Sequence, residues 1–217
     1  MDWQNGTGTT TRILDVAERM LQVRGYNGFS YGDVATELGI TRAALHYHFP
    51  GKAELGQALI ERYAARFAAA LEELDATAAD AATKLRGYIA LYTDVLSADR
   101  MCLCGMLAAE HRTLPDPLQR AVCAFFASNT DWLRKVMEEG CADGSLRCPG
   151  TPGDSASMVL GALEGGMLIA RLDGDVARFT AAADQVLSGL TPARWPAAQD
   201  TVTLGPGLAG RDTPTTG

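Results

Sequence analysis

The 217-residue sequence predicts an all-α fold, with a three-helix N-terminal unit followed by a larger helical domain and about nine helices in all. Three observations carry this reading. Apolar residues recur every three or four positions over most of residues 10–190, the period at which side chains share one helix face. Residues that start or stop helices (Gly, Pro, Ser, Thr, Asp) fall between those stretches. Strand-like alternation never runs long enough to support a sheet, and no internal repeat is present.

Ile13, Leu14, Ala17, Leu21 and Arg24 define the first helix, stopped at Gly25. Ser30 caps a short second helix carrying Val34, Ala35 and Leu38, which Gly39 breaks. Thr41 caps a third, ending near His48 or Phe49 before Pro50-Gly51. Leu55, Leu59, Ile60, Tyr63, Phe67, Leu71 and Leu74 then give a long fourth helix. From about residue 77 alanine becomes frequent, and helices are expected at 80–98, 100–112, 116–142, 152–172 and 175–190. Residues 148–153, with two prolines and two glycines, read as a turn. Residues 191–217 are rich in Pro, Gly and Thr without amphipathic period, and are expected to be a disordered or loosely attached tail.

The formal charge of −7 argues against a broadly basic surface. Contact with phosphates is decided locally, within about a Debye length, so a sparse and directed basic patch remains compatible. No apolar run reaches the roughly 18 residues of a membrane span, and residues 1–11 lack a basic stretch followed by an apolar one. The expected address is the cytoplasm, with no membrane partner. Cys102, Cys104, Cys123, Cys141 and Cys148 are odd in number and irregularly spaced, which reads as free thiols rather than a disulfide framework. Cysteines two residues apart on a helix point about 200° apart, and His111 lies about 10 Å along the axis from Cys104, so a helical segment here holds no metal. With no paired acidic motif, nucleotide loop or triad, neither an enzyme nor a cofactor is expected.

The most informative segment is 25–55. Two short helices meet at a tight turn holding Gly39, with Val34, Leu38, Ile40, Leu45 and Phe49 placed to face inward. That leaves Arg42, Ala43, Ala44, His46 and Tyr47 on the outer face. The glycine turn, the Thr41 cap, Leu45, His48-Phe49 and Lys52-x-x-Leu55 closely resemble the DNA-binding domain of the tetracycline-repressor (TetR) family of bacterial regulators. The resemblance covers residues 7–67, with the helix-turn-helix at about 30–49, and 77–190 match in helix number and length as an effector-binding and dimerisation domain. It implies a repressor that leaves an inverted-repeat operator when an effector binds. Arg42 would contact guanine bidentately in the major groove. Thr41 would reach phosphate or base, and Ala43 and Ala44 would allow close approach. Tyr47, His48 and Lys52 would grip the sugar-phosphate backbone. The chain departs from the family at His46, where a phosphate-touching tyrosine is usual, so His46 or Tyr47 must take over that contact. Taken alone, His48 reads equally as a helix-end residue bonded to a carbonyl, and Lys52 as a solvated lysine.

The resemblance also implies a dimer built from the last two helices. Ala162, Gly166 and Ala170, beside Gly161 and Gly165, form a stripe that lets helices approach closely, with Val186 and Leu187 on the partner helix. Packing within one chain would use the same stripe. Tyr88, Tyr92, Met106, Phe125, Trp132 and Met137 are candidates to line an effector pocket, or equally a plain core. The pattern C-L-x-x-x-L-x-A-E from 102 to 110 looks like the segment around a reactive cysteine in electrophile-sensing members. Cys102, capped by Asp99 in a first helical turn, would then favour thiolate, with Cys123 as a resolving partner. The competing functional classes are a helix-turn-helix used for protein contact alone and an all-helical enzyme. Arg42, Tyr47, His48 and Lys52 on one surface weigh against both.

Overall fold

The structure is a computed structural model that describes residues 3–192, with side chains from residue 8 onward. Among the described residues there are nine α-helices and no strand: α1 (Trp3–Arg24), α2 (Tyr31–Leu38), α3 (Arg42–His48), α4 (Lys52–Thr77), α5 (Ala81–Ser97), α6 (Leu103–Ala109), α7 (Asp116–Asp143), α8 (Pro152–Asp173) and α9 (Val176–Leu190). The expected all-α class holds. The tail expected beyond residue 192 lies outside the described residues.

The N-terminal unit follows from local chemistry. Ser30 and Asp33 form a reciprocal capping box, the Asp33 carboxylate accepting from the Ser30 amide at 2.6 Å. Gly39 ends α2 at φ 65°, a left-handed conformation. A Cβ there would meet nothing, so conformation rather than space requires glycine. Thr41 Oγ1 accepts from the Ala44 amide at 3.1 Å, a cap of about 1 kcal/mol on a seven-residue helix. Ile13, Ala17 and Leu21 of α1, Val34 of α2, Leu45 of α3 and Leu55 of α4 are fully buried together.

The 26-residue α4, about 39 Å long, joins this unit to the rest. Its first half packs on α1, where Arg62 bridges Asp15 (2.7 Å) and the buried Glu18 (2.6 Å), and Arg66 pairs with Glu18 too. From its middle onward it carries Tyr63, Phe67, Leu71 and Leu74 into the core shared with α5 and α7. By length and composition α8 would suffice to cross a membrane, but it lies between α7 and α9 with Val159, Leu163, Met167 and Ala170 buried.

Three expectations need correction. α1 begins at Trp3, well before Ile13, the first residue assigned to it from the sequence. The helix expected over 100–112 is only Leu103–Ala109, followed by a 3-10 turn at His111–Thr113. Asp99 has left-handed backbone (φ 55°), and the Met101 amide donates to the Gln22 carbonyl of α1 at 3.3 Å, so the chain is held out of a helix until after Cys102. Finally, Cys141 and Cys148 are not free thiols: they form a disulfide, their Cα atoms 5.9 Å apart. Gly144, left-handed at φ 78°, reverses the chain after α7 and brings the two cysteines together.

Candidate nucleic-acid interface

α3 turns Leu45 fully inward and presents Thr41, Arg42, Ala43, His46 and Tyr47 to solvent. Tyr47 is 87% exposed, which is unusual for a large ring with nothing to cover it. Ala44 and His48 are half-buried. Arg42 lies against Gly32, where a Cβ would strike the guanidinium, so a residue without a side chain opens the space it occupies.

The helix is held from several sides. His48 Nδ1 sits 3.0 Å from Thr10 Oγ1 on α1, and His46 Nδ1 lies 3.0 Å from the Pro50 carbonyl, a contact that requires the proton on that nitrogen. Tyr31 Oη donates toward the carbonyls of Phe49 (2.8 Å) and Gly51 (2.7 Å), pinning the turn between α3 and α4. Its hydroxyl is pushed up to about 12 by burial and then by Glu54. It stays a donor at any physiological pH.

Lys52 has partners within the protein that its sequence context does not announce. Its ammonium donates to the Tyr26 carbonyl (2.5 Å) and the Phe29 carbonyl, and stands 4.5 Å from the centres of both their rings. Burial lowers its pKa, opposed by Glu110 and Asp33. Lys52 therefore braces the α1–α2 turn.

That turn is also gripped from the C-terminal domain, by residues that sequence reasoning left unassigned. The Glu110 carboxylate, at the end of α6, accepts from the amides of Tyr26 (2.6 Å) and Asn27 (3.2 Å). Arg171 on α8 donates to the carbonyls of Gln22 (3.2 Å) and Val23 at the end of α1. Gln22 in turn donates to the Met101 carbonyl at 3.1 Å. Cationic donors on a helix C-terminus and a carboxylate on free amides are favourable pairings. No short-range sequence signal marks them, since each spans at least 79 residues.

In the centre of the bundle the rings of Tyr63, Phe67, Tyr88, Tyr92, Phe125 and Trp132 form one connected cluster. Tyr88 Oη donates to Asn129 Oδ1 at 3.1 Å and lies 3.2 Å from Tyr92 Oη. Four of the six pocket candidates thus sit together. Met106 lies apart against Arg171 (3.8 Å), and Met137 is buried in the core. Cys102 is the N-cap of α6, its sulfur accepting from the Gly105 amide at 3.4 Å, not a first-turn residue. Burial, then the Glu164 carboxylate, push its thiol well above the usual range. The expected preference for thiolate is reversed. Cys123 is exposed on α7 with its sulfur 3.7 Å from His111 Nε2.

The small-residue stripe on α8 also resolves. Ala170 is buried, and a Cβ on Gly166 would meet Phe179 of α9 at 3.3 Å, so both face their own chain. Ala162 and Gly165 are half-buried, as are Val186 and Leu187, which pack against the core. Met158, Gly161, Leu168, Ile169 and Leu172 form the exposed stripe, and nothing lies within 4 Å of a Cβ at Gly161 or Gly165. The open face is thus rotated by about 100°, one residue, from the expected one.

Comparison with known proteins bears on this arrangement. Bacterial regulatory proteins of the tetR family match residues 13–59, and the tetracyclin repressor-like C-terminal domain matches residues 81–186. A transcriptional regulator of the TetR family from Agrobacterium tumefaciens superposes with a TM-score of 0.83 at 35% identity, covering 87% of this chain and 100% of that one. A TetR transcriptional regulator from Legionella pneumophila gives 0.75 at 32% identity over 83% and 96% of the two chains. The HTH-type transcriptional regulator LmrA of Bacillus subtilis is 26% identical over 166 residues, 73% of this chain and 84% of its own.

Proposed function

Because the chain belongs to the tetR family of bacterial regulatory proteins, which are DNA-binding transcriptional regulators, we propose that it is a homodimeric repressor that leaves its operator when a small molecule binds between its central helices. The observation that carries the DNA reading is the α3 face: Arg42, Ala43, His46 and Tyr47 exposed together on a helix capped and braced at both ends. Arg42 is the base reader, suited to guanine by its two parallel donors. Tyr47 and His46 serve phosphates, while Ala43 lets the helix backbone approach the bases. Thr41 and His48 are already bonded within the protein and set the helix angle. Lys52 is assigned to bracing rather than to phosphate. Two such helices related by a two-fold axis would meet an inverted repeat in successive major grooves. Binding to operator DNA would place its action in the cytoplasm, and the proposed activity is binding rather than catalysis.

The exposed α8 stripe supports the dimer. An apolar helix face of this kind is ordinarily covered, and Gly161 and Gly165 leave room for a second helix. The release route runs through α6, whose N-cap Cys102 touches the central cluster and whose C-cap Glu110 holds the α1–α2 turn. A shift of α6 is thereby a shift of the DNA-binding unit.

Arg42→Ala tests the reading. Operator affinity is expected to fall by about 1–3 kcal/mol, with relaxed preference at one base pair, by fluorescence anisotropy against single-base operator variants. Unchanged affinity and base preference would remove Arg42 from the readout.

A further inference from the structure

We propose that Arg171 is a positioning residue that sets which half-site spacing the operator must have. It ties the DNA-binding unit directly to α8, the helix on which two copies would pair. The assignment rests on the reading of the chain as a dimeric operator-binding protein and adds a residue that fixes its geometry.

A 22-residue helix such as α1 ends on carbonyls that have no partner of their own. The Gly25 amide closes one of them, donating to the Leu21 carbonyl at 2.8 Å. The next two are met by a single guanidinium from the other domain. Arg171 Nη1 donates to the Gln22 carbonyl at 3.2 Å, and Nη2 donates to the Val23 carbonyl. Two donors held in one plane against successive carbonyls fix an angle as well as a distance. The positive charge also suits the negative end of the α1 dipole. Among the described residues no carboxylate forms an ion pair with Arg171, and its remaining polar contact is Met106 Sδ at 3.8 Å. This half-buried cation is committed to the α1 terminus.

Where each end of the contact leads makes it more than a cap. On α8, Arg171 lies between buried Ala170 and the exposed stripe of Leu168 and Leu172, so it moves with the pairing helix. On α1, Gln22 stands about 18 Å along the axis from Thr10. The Thr10 hydroxyl meets His48 at the end of α3, at 3.0 Å. Between those two points Ile13, Ala17 and Leu21 are fully buried, which makes α1 a stiff lever. A tilt of about 10° pivoting on its C-terminal end moves the α3 contact by about 3 Å, close to the roughly 3.4 Å between stacked base pairs. Glu110 holds the turn that follows, from α6. Arg171 is the link that starts on the pairing helix itself.

The test uses the full chain and an inverted repeat that the wild-type protein selects from random duplexes. Anisotropy reads affinity for duplexes whose spacer is one or two base pairs longer or shorter, and for a duplex with one half-site. The wild-type protein is expected to prefer its selected spacing by about tenfold or more over spacers one base pair away. Arg171→Met is expected to narrow that preference to about threefold or less, with single half-site affinity and the sedimenting dimer unchanged. Arg171→Gln keeps a donor for one carbonyl and is held to the same criteria, so the test stands even where the methionine variant melts. Arg171→Lys returns the charge and is expected to recover part of the preference. A mere cap would lower Tm and weaken every duplex alike, and that result overturns the assignment. So does a folded, dimeric Arg171→Met or Arg171→Gln protein that keeps the wild-type spacing profile, or one that sediments as a monomer. A wild-type protein that is monomeric or selects no inverted repeat sinks the dimeric regulator reading itself. A wild-type dimer that accepts every spacing equally sinks the spacing assignment alone.

Discussion

Ile169→Glu combined with Leu172→Glu is expected to turn the protein into a monomer and to lower operator affinity by about 100-fold or more. The two side chains are 46% and 81% exposed on one face of α8, beside glycines that leave the helix surface bare. An uncompensated carboxylate costs several kcal/mol when taken from water. A two-fold interface repeats each substitution, so four carboxylates would oppose closure. A monomer engages only one half-site and loses the effective-concentration advantage of the second. Sedimentation velocity reads the mass, and anisotropy on the same samples reads the affinity. Gly166→Leu serves as the contrast. Its added atoms run into Phe179 of the same chain, so it lowers Tm by overpacking while leaving the outer stripe intact. A double glutamate variant that sediments as a tight dimer would put the interface elsewhere.

The contrast between those two positions shows what a sequence can and cannot carry. Gly161 and Gly165 have the same spacing as Ala162, Gly166 and Ala170. The two stripes differ by one residue of rotation, and only the packing of Phe179 and Ala183 from α9 decides which is covered. The N-terminal unit was legible because its signals are local: the Ser30–Asp33 box, the Gly39 stop and the Thr41 cap each act within three or four residues. α6 was misjudged for the opposite reason. Residues 99–102 have no helix-breaking composition, yet Met101 donates to Gln22 O of α1 (3.3 Å) and accepts from the Gln22 side chain, which holds it out of a helix. The disulfide followed from a reversal at Gly144 rather than from the cysteine count. Arg171 gains its meaning only from an element far away in sequence, the end of α1.

Lys52→Met carries the other large expected effect, and it separates two roles that the sequence leaves superposed. The substitution keeps an apolar stem over the Tyr26 and Phe29 rings but strips the carbonyls of both residues of a charged donor. Charge-assisted hydrogen bonds contribute about 1.5–3 kcal/mol each, so a stability loss of about 3 kcal/mol is expected. For a chain of this length that lowers Tm by roughly 6–12 °C. Glu110 still holds the Tyr26 and Asn27 amides, so the turn loosens rather than unravels, and at low temperature operator binding should survive. Salt dependence then decides between the roles. A lysine on a phosphate contributes about 0.9 to the slope of log affinity against log salt, and its removal flattens the line by that amount. A bracing lysine leaves the slope where it was. The expected result is a lower Tm with an unchanged slope, read by circular dichroism melting and by anisotropy titrations at several salt concentrations. A slope reduced by about one with an unchanged Tm would return Lys52 to the phosphate backbone. The ammonium would then have to leave the two carbonyls it holds in the free protein.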